Sequence, residues 1–231
     1  MKHSNQVIIL MGPPGAGKGT QAELLAEKFN LYHLETSEII EANLSRAKPG
    51  DFVIVEGKKY FISDEKKKRE SGDLMSPPLI AFWMKNKIKE LAKEEKGIAT
   101  SGSPRSLYEG KELVPFLKKL YGAKNIKVIL LEISSRETIW RNSHRKTCQL
   151  MRHPILFTKE TVKLKKCPFD GSKLLLRPDD TPEIIKRRLK EYKDRTYPLI
   201  DYFKKTGLKV LKVNGSPTPD IIFKNLLKLL S

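Results

Sequence analysis

Cysteine is nearly absent: Cys148 and Cys167 are the only two in 231 residues. That is too few for the disulfide framework of a small secreted scaffold and suits a reducing compartment. No apolar run approaches the ~20 residues a membrane-crossing helix needs, so a membrane partner is not expected. Ahead of the first glycines lies only the brief run Val7–Met11, too short for a signal-peptide core. A cytoplasmic protein is the expectation. Acidic residues are also scarce, 27 against 45 Lys+Arg, giving a formal net charge of +18. Such an excess attracts polyanions such as nucleotides or RNA. The lysines, however, are scattered as pairs (Lys118-Lys119, Lys204-Lys205) rather than collected in a basic arm. They read as solvated helix faces, and nucleic acid is not the expected partner. Internal repeats, low-complexity tracts and linkers are missing too. The length and a hydrophobic content of 39% suffice for one α/β core carrying inserted lobes, but not for two full domains.

What the chain does have is Gly12-Pro13-Pro14-Gly15-Ala16-Gly17-Lys18-Gly19-Thr20. It follows an apolar strand pattern and precedes a helical one, Gln21 to Phe29, with Ala22, Leu25, Ala26 and Phe29 on one face. A strand, a glycine-rich turn and a helix N-terminus form a phosphate cradle: backbone N–H groups converge on one anion, and the helix end adds partial positive charge. Lys18 is placed to reach the outer phosphates, and the Thr20 hydroxyl lies near a nucleotide-bound Mg²⁺. The generic pattern places Ser or Thr directly after the lysine; here Gly19 intervenes.

This loop resembles that of adenylate kinases and related nucleoside-monophosphate kinases. The resemblance continues at Thr36, at Gly102-Ser103-Pro104-Arg105, at the pair Arg141/Arg145 and at Arg177 with Arg188 eleven residues on. It implies a P-loop NTPase-type five-stranded parallel sheet wrapped by helices. The core would comprise 1–36, 77–145 and 177–231, a monophosphate-binding lobe 37–76, and a lid 146–176. It also implies reversible transfer of the γ-phosphoryl of ATP·Mg²⁺ to a nucleoside monophosphate, AMP by default, in a monomer. Gly12 to Thr20 with Arg141 and Arg145 would bind ATP. Thr36, Arg105, Glu109, Arg177 and Arg188 would bind the monophosphate. Lys18, Arg141, Arg145, Arg177 and Arg188 would be catalytic.

The sequence departs from the family pattern at several places. Glu41 stands where an arginine grips the acceptor phosphate, and Arg46, Lys58, Lys59 or Arg69 could replace it. Ser101 replaces an aspartate that holds Mg²⁺ waters, with Glu38 a candidate helper. Glu109 replaces the glutamine that reads adenine. An ionised carboxylate accepts but cannot donate hydrogen bonds, so it suits guanine or cytosine better, unless it faces solvent. A kinase of GMP, CMP, UMP or deoxy forms is therefore an alternative, as is a nucleotide- or RNA-binding protein that has lost transfer.

Residues 51–62 read as an inserted hairpin, Lys66 to Arg69 as a solvated helix face, and Thr36 as a helix N-cap as readily as a ligand. The aromatics of the Pro78–Lys96 helix read as packing, and Thr181-Pro182 as a helix start. In the lid, Met151 breaks the double-knuckle pattern of zinc-bearing family members. Cys148, His153, Cys167 and Asp170 could still supply four ligands to structural Zn²⁺; reduced cysteines in a metal-free lid are the competing reading.

Overall fold

A computed structural model describes residues 5–151, 153–156, 160–176 and 180–230. In chain order the elements are β1 (Val7–Met11), α1 (Lys18–Phe29), β2 (Tyr32–Glu35), α2 (Thr36–Arg46), β3 (Phe52–Val55), β4 (Lys58–Phe61), α3 (Ile62–Ser71), α4 (Pro77–Lys93) and β5 (Ile98–Ser101). There follow α5 (Leu107–Tyr121), β6 (Ile126–Glu132), α6 (Ser135–His144), β7 (Lys146–Cys148), β8 (Pro154–Ile155), β9 (Leu174–Leu176), α7 (Pro182–Glu191), α8 (Leu199–Lys205), β10 (Val210–Asn214) and α9 (Pro219–Leu230).

The central sheet has the order β10-β6-β1-β5-β2, all parallel. Its central strands β1 and β6 carry apolar runs because both faces are covered. Val7, Ile9, Val128 and Leu130 face a core closed by Leu79 and Trp83 of α4, Leu113 of α5 and Phe203 of α8. Ile8, Leu10, Ile129 and Leu131 face Ala22 and Leu25 of α1 and Ile222 and Leu226 of α9. Each such side chain contributes about 1.5–3 kcal/mol on burial. Phe82, expected to pack beside Trp83, stays 37% exposed. Strand order reverses beside β1, and ligands of open α/β sheets bind in the crevice beyond the strand ends at such a point.

The β3–β4 hairpin is antiparallel and turns at Glu56-Gly57, both at positive φ, as a two-residue hairpin turn requires. Residues 66–69 are not uniformly a solvated face. Lys68 donates to Glu65 at 2.7 Å and Ser76 Oγ at 2.9 Å, and Arg69 to Glu41 at 3.1 Å. Buried Glu65 also accepts from the Ser76 amide at 2.7 Å, which fixes the turn from α3 into α4. The β7, β8 and β9 strands form a small antiparallel sheet. Past α7 the helix widens into a π-turn, Tyr192–Thr196.

Candidate active site

The glycine loop is shaped by close approach. A Cβ on Gly15 (φ +78) would lie 2.5 Å from Asn142 Nδ2, so α6 packs directly on the loop. Arg141 reinforces this contact, donating to Gly15 O at 3.3 Å and to Ser216 O at 2.9 Å. Lys18 folds into its own loop and donates to Gly12 O at 2.9 Å and Pro13 O at 2.8 Å. Burial, with the nearby charges of Arg105 and Arg145, lowers its pKa to about 7; Glu35 opposes the shift. Thr20 lies in the first turn of α1.

The opposite wall begins at the end of β5. The Ser103–Pro104 peptide is cis, and a Cβ on Gly102 would meet Arg105 Nη2 at 3.1 Å and Thr36 Oγ1 at 3.2 Å. Arg105 and Thr36 thus share one glycine-floored corner. Thr36 is no N-cap: its hydroxyl turns inward and donates to Ser101 O at 3.3 Å, while Glu35 occupies the cap position. Glu109 does not face solvent. It is buried and accepts from Ser103 Oγ at 2.6 Å, Ser106 Oγ at 2.9 Å and the Arg105 amide at 3.1 Å. Ser106 in turn caps α5 by accepting from Glu109 N, while the Glu109 carboxylate reaches back to the Arg105 amide rather than to the Ser106 amide of a capping box. Burial pushes the Glu109 pKa up against the pull of those donors. The spacing was visible in the sequence, and sequence reasoning passed over it.

The cations converge. Arg145 grips Asp180 through two nitrogens, Nε at 3.1 Å from Oδ2 and Nη2 at 2.7 Å from the same oxygen. Arg188 reaches Oδ1 of Asp180 at 3.4 Å. Desolvation lowers the Arg105 pKa most, Arg188 and Arg69 add to the shift, and Glu109 and Glu35 oppose it, while part of the residue stays exposed. Thr196 of the π-turn donates to Arg105 O at 2.7 Å. Widened turns of this kind recur at functional sites. Arg177 lies outside the described residues. Two carboxylates went unnoticed in the sequence. Asp180 is one. The other is Glu35, in register across from Ser101 on the neighbouring strand, accepting from Ser37 and acting on both Lys18 and Arg105. Ser101 itself is hydrogen-bonded to His33 Nε2 at 3.2 Å.

In the small sheet, ligand atoms of Cys148, His153 and Cys167 lie within 4.8 Å of one another. Asp170 accepts from Cys148 Sγ at 3.0 Å. The Met151 amide donates to Cys148 Sγ at 3.2 Å, in the manner of a knuckle. Two thiols and an imidazole gathered this closely are compatible with a structural zinc site. Among the described residues no helix is long and apolar enough to cross a membrane.

The family model described as adenylate kinase matches residues 10–208. Curated relatives agree. The adenylate kinase of Methanothrix thermoacetophila is 34% identical over 226 residues, covering 97% of this chain and 98% of that protein. The adenylate kinase of Chlamydia pneumoniae is 33% identical over 222 residues, 96% of each. That of Clostridium botulinum (Loch Maree, type A3) is 31% identical over 227 residues, 96% of this chain and 97% of that protein. Glycine loop, arginine-lined crevice and near-full-length similarity lead to one assignment: the chain belongs to the adenylate kinase family, the phosphotransferases that pass a phosphoryl group from ATP to AMP.

Proposed function

We propose that this chain catalyses reversible transfer of the γ-phosphoryl of ATP·Mg²⁺ to AMP, giving two ADP, with the glycine loop holding the donor and Arg105 the acceptor. The observation that carries these roles is the gathering of Lys18, Arg105, Arg145 and Arg188 about one crevice. A cluster of like charges needs an anion, and two nucleotides present their phosphates there. No side chain is needed as nucleophile. Catalysis rests on in-line positioning and on drawing charge off the transferring group. Lys18, released from the loop carbonyls, would hold outer phosphate oxygens. Arg145 and Arg188, oriented by Asp180, would close on the phosphoryl group together with Arg141 and Arg177. Mg²⁺ supplies charge neutralisation when it arrives with ATP; Thr20 and Glu35 are suited to its hydration shell. The segment 146–176 would act as a lid that excludes water and so suppresses ATP hydrolysis. Cys148, His153, Cys167 and Asp170 would hold a structural Zn²⁺ that rigidifies it.

Since the Glu109 carboxylate is occupied by three donors, it gives no ground for a non-AMP acceptor. The test is direct: ATP is offered with AMP, GMP, CMP, UMP and their deoxy forms. Fast ADP formation from AMP, lost in Lys18→Met and Arg105→Ala, is the expected result. Faster turnover of another monophosphate would overturn the acceptor assignment.

A further inference from the structure

The acceptor side of the crevice, on the kinase reading above, shows one guanidinium at its floor and needs more. A monoester phosphate presents three terminal oxygens, and a single arginine fork satisfies two of them. Position 41 on α2 offers a carboxylate instead of a cation. Four basic residues of the same lobe are candidates for the missing contact, and their surroundings separate them. Arg46 is exposed at the end of α2. Lys58 lies over the Tyr60 ring at 5.6 Å and Lys59 over the Phe52 ring at 4.5 Å, both on the hairpin. Arg69 is different. It is half-buried, it donates to Glu41 Oε2 at 3.1 Å, and its charge bears on Arg105.

We propose that Arg69 is a second ligand of the acceptor phosphate, brought in from the end of α3 and held toward the crevice by Glu41. The phosphate would then be gripped between Arg69 on one wall and Arg105 on the other. Glu41 is a positioning residue: it reverses the charge of its own site but delivers a guanidinium from a neighbouring helix. A plain structural role explains less. The last turn of a helix does favour a cation. That preference does not account for a half-buried guanidinium whose charge bears on a second guanidinium, a repulsion that a bound phosphate would relieve. Partly exposed ion pairs such as Arg69–Glu41 also contribute little to stability.

The experiment combines kinetics with binding in the full-length enzyme. Arg69→Met is expected to raise the KM for AMP by roughly 10–100-fold, the range for losing a charged hydrogen-bond partner. The KM for ATP and the melting temperature should stay near wild type, which shows that the variant is folded. Affinity for adenosine, which has no phosphate, should not change. Arg69→Lys should fall between the two. Glu41→Gln should raise the AMP KM by about 2–10-fold at nearly constant kcat, as expected for lost positioning. The decisive variant is the double exchange Arg69→Met with Glu41→Arg, which places the cation on α2 and should recover most of the AMP affinity. An Arg69→Met enzyme with AMP KM within about twofold of wild type would falsify the inference while leaving the kinase assignment intact. So would equal losses for AMP and adenosine. A wild-type protein that binds AMP no better than adenosine would defeat the inference and the acceptor assignment together.

Discussion

Arg145 and Asp180 meet as a fork on a carboxylate, with Nη2 2.7 Å from Oδ2 and 3.0 Å from Oδ1. The Asp180 side chain is only 3% exposed, while Arg145 and Arg188 keep 23% and 25% of theirs. One buried anion therefore orients two partly exposed cations.

From this arrangement, Asp180→Asn should leave the two guanidiniums without a shared anion. Stability should drop by about 1–3 kcal/mol, the cost of losing a charged acceptor in a mostly buried site. Activity should drop by more than the melting temperature suggests, because misplaced arginines act on the transition state. Urea unfolding and steady-state kinetics on the same preparation check both parts.

Glu109 separates two ideas about the acceptor wall. Glu109→Ala should weaken AMP binding by loosening the Ser103–Ser106 turn that carries Arg105. The isosteric Glu109→Gln retains an acceptor for the Arg105 amide and should be mild. Neither change should alter the ranking of AMP, GMP and CMP as acceptors; a reversed ranking in the glutamine variant would mean that residue 109 reads the base after all.

Lys18 predicts a pH effect with a defined sign. Its folded pKa is about 7 against the ordinary lysine value of 10.5, so between those values the unfolded chain binds the extra proton. Stability relative to Lys18→Met should rise from pH 7 toward pH 10.5. Phosphate binding restores the ammonium, so ATP binding near pH 8 should take up protons. Calorimetry in two buffers of different ionisation enthalpy reads that uptake, and it should vanish in Lys18→Met.

The zinc proposal is checked by elemental analysis, with about one equivalent expected in protein purified without chelators. Cys167→Ser or exhaustive chelation should make the 146–176 segment the first to be cleaved by protease, with the core left resistant. Less than about a tenth of an equivalent would rule the metal out.

Much of this was legible before any coordinates. Strands buried on both faces announce themselves as unbroken apolar runs, as in Val7–Met11 and residues 128–131. The glycine loop is a local pattern, and local patterns survive in one dimension. Relocated charges do not. Arg69 and Glu41 are 28 positions apart, and Glu35 faces Ser101 only because their strands pair in register. The π-turn escaped for another reason: Ile185, Leu189, Tyr192 and Thr196 keep helical spacing whether or not one residue is accommodated by widening. The burial of Glu109 under the Ser103–Ser106 turn escaped through excess attention to its family counterpart, though Ser106 three residues before it pointed to a cap.

At the neck of the β7–β9 sheet, Lys146 pairs directly with Leu176. The excursion between them leaves the main body and returns to it at one place. Entry and exit so close together make the 146–176 segment a detachable cassette, since the ends impose the same boundary whatever lies between. Shorter or longer segments could be grafted at this junction at an entropic cost that grows only slowly with length, leaving the five parallel strands undisturbed.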